Sequence, residues 1–272
     1  DTCAGWYTSS GTCDDGGPGS ERSECALGTD CADCGARCLV PPPPAPPPPP
    51  CDGAYVCGTD GPIARKAMEL RAKHGVDLLV VPNMNPDGAV AGYLRVNAAG
   101  ANLNREWASG VYEGYDAPTL ERSPEVYWTL KAMDQLGMDA HVDIHGDEAI
   151  AANFFAGTEG IPKWGPHLAT QLDVLSNAFL RRSPDFQVGL GYDVEPPGEG
   201  NMAVGSNAVA ERYNALSVTL EMPFKDTLTP AEAADPVRGW SPGRAKAFGA
   251  ALGAAILDAA PVIAKERGKE LH

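Results

Sequence analysis

Leu216-Ser217-Val218-Thr219-Leu220-Glu221-Met222-Pro223-Phe224-Lys225-Asp226 decides the fold. Leu216 to Leu220 reads as a strand, and it runs straight into an acid. A carboxylate at the end of an otherwise apolar strand is costly unless it has a partner or a task. A salt bridge to Lys225 is the simplest partner. Upstream, Ala140 to Ile144 reads as a second strand and delivers His145 in the same way, within Asp143-Ile144-His145-Gly146-Asp147-Glu148. Helical signals separate and flank the strands. Ser123-Pro124-Glu125 opens a helix that ends near Gly137, helices follow around His167 to Arg182 and Asn207 to Tyr213, and Ser241-Pro242 starts a long Ala-rich helix to about Lys265. Pro62 suits the first position of a helix running to His74, with Gly75 as its cap. Val76 to Val81, apolar apart from Asp77, suits a buried strand. Strands alternating with helices predict an α/β domain, with a mixed, largely parallel sheet flanked by helices. Sites in such folds lie at strand ends, where His145 and Glu221 both fall.

The residues before Pro62 have a different composition. All eight cysteines lie there: Cys3, Cys13, Cys25, Cys31, Cys34, Cys38, Cys51 and Cys57. An even count in so short a stretch predicts a disulfide framework and an oxidising compartment, secreted or extracellular. Residues 1–40 form a Cys-rich module. Within it Asp14, Asp15, Asp30 and Asp33 offer oxygen donors for calcium, against the simpler reading of solvated turn residues. Pro41 to Pro50 is proline except for Ala45, which predicts a stiff polyproline spacer of about 3 Å per residue. Residues 51–61 are a Cys-containing connector, and 62–272 form the main domain.

The 272 residues carry a formal net charge of -15, with the acidity spread along the chain. That balance attracts neither nucleic acid nor an anionic membrane surface. By the sequence reading no apolar run approaches the roughly 20 residues that span a bilayer. The chain begins at Asp1 and shows no signal peptide, as expected of a processed chain or a fragment.

A third motif precedes the two strand ends. It runs from Asn85-Pro86-Asp87-Gly88 through Arg95 to Leu103-Asn104-Arg105-Glu106-Trp107. The three motifs, in this order over roughly Pro62 to Asp258, resemble the zinc metallocarboxypeptidases, in the branch that contains the cytosolic carboxypeptidases and their bacterial relatives. The resemblance implies a carboxypeptidase-like fold and removal of C-terminal residues from peptides or proteins. It makes His145 the third zinc ligand. It makes Glu221 the general base, which takes a proton from the attacking water and passes it to the leaving amine. Arg95 stabilises the developing oxyanion. Asn104 and Arg105 clamp the terminal carboxylate, where a guanidinium fork fits both oxygens. Asn85-Pro86-Asp87-Gly88 is a turn that shapes the site.

The family also places a His-x-x-Glu ligand pair before the Asn-Pro-Asp-Gly turn. None precedes residue 83. His74 and Asp77 span a helix end and a strand start, Cys57 and Asp60 have the spacing and two possible donors but Cys57 is claimed by the disulfide framework, and His145 with Glu148 lies downstream. The main domain therefore reads as lacking its N-terminal part. A catalytically inactive module that binds peptide C-termini, or a secreted interaction protein, is the alternative. His141, on the same strand face as His145, is the candidate substitute ligand.

Overall fold

The computed structural model describes residues 69–108, 115–227 and 239–268. The Cys-rich module, the proline spacer and the connector lie outside the described residues, as does the start of the helix predicted from Pro62. The chain divides into two compact units, whose described parts are residues 79–108 with 115–136, and residues 69–78 with 137–227 and 239–268.

In the first unit α1 (Pro86–Ala91) is a six-residue helix. Asn85, read from sequence as part of a turn, is its N-cap: the Asn85 side chain accepts from Gly88 N at 3.0 Å. Pro86 then takes the first helical position, where a missing N–H costs nothing. A 3-10 turn, η1 (Leu103–Arg105), and the helix α2 (Pro124–Leu136) complete the unit. Val96, Ala101, Leu103, Trp107, Ala108, Val126, Leu130, Ala132 and Met133 are its buried apolar residues among those described.

The second unit holds the sheet. Its strands are β1 (Ala140–Asp147), β2 (Phe154–Ala156) and β3 (Leu216–Pro223), in the order β1-β3-β2. β3 pairs parallel with β1 and antiparallel with β2, so the sheet is mixed, as predicted. Residues 69–74 are helical, the end of the helix predicted to run to His74, and its further helices are α3 (Pro166–Arg182), α4 (Gly205–Tyr213) and α5 (Pro242–Glu266). Alternation along β3 sorts its residues between two faces. Leu216, Val218 and Leu220 join Leu175, Ala178 and Phe179 of α3 and Phe248, Leu252, Ala255, Ala259 and Ile263 of α5 in one core. On the other face Thr219 Oγ1 donates to Ser206 Oγ of α4 at 3.1 Å.

Two expectations change. Val76 to Val81 forms no strand; Leu78, Val80 and Val81 are 39%, 47% and 44% exposed. An apolar run becomes a strand only beside a partner that takes its backbone N–H and C=O groups. The three-stranded sheet does not include this run. Second, against the expectation of no bilayer-length apolar run, α5 is by length and composition apolar enough to cross a membrane. Its Phe248-to-Ile263 stripe is instead part of the core described above.

Candidate functional site

The parallel register of β1 and β3 sets His145 directly beside Glu221. His145 Nδ1 lies 3.6 Å from Glu221 Oε1. The other ring nitrogen, Nε2, is 2.9 Å from Asp143 Oδ2. Asp143 can reach it because side chains two apart on a strand share a face. At Gly146, within β1, a Cβ would lie 2.0 Å from the Phe224 ring, so a larger residue there would require that exposed ring to move. Glu221 is only 5% exposed, and its Oε2 is buried with no hydrogen-bond partner among the described residues. The simple salt bridge to Lys225 does not form: Lys225 Nζ donates to the Glu148 carbonyl at 2.9 Å.

These contacts determine the protonation of the cluster. Burial alone would push the His145 imidazole down, but hydrogen bonds to Asp143 and Glu221 and the charges of both override it and raise its pKa to about 10. Burial raises Asp143 in turn, yet the His145 hydrogen bond and charge bring it below the ordinary carboxylate value. His141 is pushed down by burial, against the opposing pull of Asp143. Its Nδ1 is 2.8 Å from Ser217 Oγ.

Two residues of this cluster escaped the sequence reading. Asp143 carried a signal, since positions 141, 143 and 145 alternate onto one strand face. Tyr192 did not: it comes from an irregular loop, and its hydroxyl donates to Asp147 Oδ1 at 2.8 Å. Burial and this bond, with Glu221 and Glu148 nearby, hold the phenol protonated well above its ordinary value.

The other predicted residues belong to the unit of residues 79–136. Asn85 Nδ2 donates to Val96 O at 2.9 Å, and Val96 bridges to Asn102, so the chain on both sides of Arg95 is fixed. Arg95 itself is exposed. Asn104 lies within η1, half-buried, and Arg105 Nη1 donates to the Asn104 carbonyl at 2.7 Å.

Zinc is the metal the family implies, and the donors present do not fit it. A catalytic zinc takes three protein ligands. Among the described residues no group of three or more His, Cys, Asp or Glu side chains is disposed to hold a metal. His145 has a carboxylate at each ring nitrogen. His74 and Asp77 offer no replacement, because Asp77 pairs with Arg71 Nε at 3.1 Å. Cys57 and Asp60 lie outside the described residues. Among the described residues, the partnerless oxygen of Glu221 is a feature that suits such a centre.

No family model matches the sequence. The chain is 45% identical over 190 residues to an uncharacterized protein of Zymomonas mobilis subsp. mobilis, covering 69% of this chain and 47% of that protein. A provisionally assigned carboxypeptidase A from Shewanella denitrificans superposes with a TM-score of 0.61 at 48% identity, over 68% of this chain and 46% of its own. A metallo-carboxypeptidase from Pseudomonas aeruginosa, solved with (2-guanidinoethylmercapto)succinic acid, gives a TM-score of 0.61 at 39% identity, over 67% and 46%. The chain thus spans about half the length of the proteins it matches. In sequence and structure the chain is similar to metallo-carboxypeptidases over that length, and it has a carboxypeptidase-like α/β fold there.

Proposed function

We propose that this chain belongs to a carboxypeptidase-like hydrolase that removes C-terminal residues from peptides or proteins, in the branch of the cytosolic carboxypeptidases. Glu221 carries the reading. A buried carboxylate with a free oxygen is a costly arrangement that a proton-transfer task explains. In this role Glu221 Oε2 takes a proton from the water that attacks the scissile carbonyl and returns it to the departing amine. Arg95 supplies positive charge for the developing oxyanion. Asn104 and Arg105 take the substrate's terminal carboxylate through a planar fork of N–H donors and an amide. The Pseudomonas enzyme's ligand is itself a dicarboxylic acid, which agrees with a carboxylate-directed clamp in this family. Zinc dependence, expected from the relatives, requires donors beyond His145 from outside the described residues. The cysteines before residue 58 place the protein in an oxidising compartment, with residues 1–40 as a disulfide-held module and calcium as its candidate ion.

The test uses the purified 272-residue chain and a set of unblocked peptides. Release of the C-terminal residue should be slow at best without a held zinc, and Glu221→Gln should lower any release by about 100-fold, the usual scale for a general base. Zinc per chain, measured by atomic absorption, should be well below one. Turnover undiminished in Glu221→Gln would overturn the assignment of the base. Binding of peptide C-termini without any turnover would move the chain to the non-catalytic reading.

A further inference from the structure

Glu106 follows η1 directly and is 8% exposed. Its carboxylate accepts from Arg122 Nε at 2.9 and 3.0 Å and from Arg122 Nη2 at 2.9 Å, and Ser123 Oγ donates to it at 3.2 Å. None of the roles proposed above uses this group. A buried acid persists only with partners, and here the partners are two consecutive residues at the entry to α2. The same entry is held by Asn97, which is fully buried. Asn97 Nδ2 donates to Arg122 O at 2.9 Å and to Glu125 Oε2 at 3.1 Å. Its Oδ1 accepts from Ala99 N at 3.0 Å and Ala101 N at 2.9 Å. The chain before η1 and the residue after it are thereby tied to one short segment, and Asn104 and Arg105 lie between the two ties.

We infer that Glu106 is the positioning residue of the Asn104–Arg105 turn, holding it against the entry to α2 in the geometry that receives a terminal carboxylate. This rests on the reading of Asn104 and Arg105 as the carboxylate clamp. An exposed arginine gains binding strength when its backbone is fixed beforehand, because less freedom is lost on contact. Leu103 and Trp107, on either side of the clamp residues, are both buried. Glu106 adds direction, since a bidentate Arg–carboxylate pair fixes orientation as well as distance. A purely structural Glu106 would affect all ligands alike. A positioning Glu106 affects the ligand's carboxylate selectively.

The experiment compares binding of a fluorescent peptide with a free C-terminus to binding of its C-terminal amide, by anisotropy, on the full 272-residue chain. The wild type should prefer the free acid, and Arg105→Gln should abolish the preference. Glu106→Gln should reduce the acid-to-amide ratio about tenfold, the scale of a loosened contact to a charged group, with amide affinity unchanged. Arg122→Gln removes the same pair from its solvent side, where the Arg122 side chain is 61% exposed, and should act in the same direction. It decides the matter if Glu106→Gln does not fold. A folded variant of either kind that keeps the wild-type ratio overturns the inference and leaves the clamp reading intact. A wild type without preference for the free acid overturns both.

Discussion

His145 and Glu221 owe their spacing to a ladder, whereas Asn104 and Arg105 owe theirs to side chains. In the sheet unit, eight consecutive residue pairs from Ala140–Leu216 to Asp147–Pro223 fix the register, and a slip of one residue would turn Glu221 to the wrong face. Apolar side chains on the far face of β3 lock that register into the core with α3 and α5. In the other unit the path from Asn85 to Glu106 has little regular structure to hold it. Three polar side chains do the holding: Asn85 bonds Val96, Asn97 bonds four groups, and Glu106 bonds Arg122 and Ser123. A ladder spreads its stability over many bonds. A side-chain tie concentrates it, so single substitutions should affect the two regions differently.

The largest effect is expected from the core beneath the ladder. Leu220 is fully buried between β1 and β2 on β3. Leu220→Ala should cost about 2–5 kcal/mol of global stability by chemical denaturation, through lost burial and a residual cavity. The register should survive, since eight backbone pairs remain. Hydrogen exchange across β1 and β3 would then be faster everywhere by a similar factor. Faster exchange confined to the residues around Glu221 would break the comparison.

Asn97→Ala comes next. It leaves two backbone N–H groups, Ala99 and Ala101, without their acceptor, and removes two donors from the entry to α2. The Ala101 N–H is the buried one of the two, and an orphaned buried polar group costs about 1–3 kcal/mol. The loss should be local: exchange should rise sharply between residues 96 and 106 while β1 and β3 keep their protection. A uniform rise across both units would show that the loop is not the separate, side-chain-held element described here.

This difference also explains what could be read from sequence. Three of the described helices and both long strands have a period or a cap that shows in the residues: Pro at the first turn of α2, α3 and α5, and apolar alternation or runs in β1 and β3. His145 and Glu221 stood out because each follows an apolar strand. Their pairing did not, because register arises from the sheet and not from either strand alone. β2 is three residues long and leaves no periodic trace. Val76 to Val81 has the pattern of a strand without the neighbour that would make it one. Asn97 and Glu106 are ordinary polar residues in a loop, and bonds from a side chain to a distant carbonyl or guanidinium leave no spacing to detect.

The smallest effect is expected where the same chemistry is at the surface. Arg182 and Asp258 form a two-pronged pair between α3 and α5, with Nε and Nη2 each 2.8 Å from a carboxylate oxygen. It is the exposed counterpart of the Arg122–Glu106 pair. The hydrogen bond to Arg182 is the main cause that holds Asp258 below its ordinary pKa of 3.8, with burial opposing and the charges of Arg182 and Arg181 assisting. A carboxylate with a depressed folded-state pKa contributes stability above its unfolded value, and that contribution is lost as pH falls through the folded value. Asp258→Asn should therefore lower the melting temperature slightly at pH 7, and the gap to wild type should close as pH falls below 3.8. Because solvent and salt screen the pair, raising ionic strength at pH 7 should close the gap as well. Glu106→Gln, whose carboxylate is buried, should keep its deficit at high salt. Equal salt sensitivity in the two variants would mean that burial does not distinguish these pairs, and that the Glu106 tie is no firmer than a surface contact.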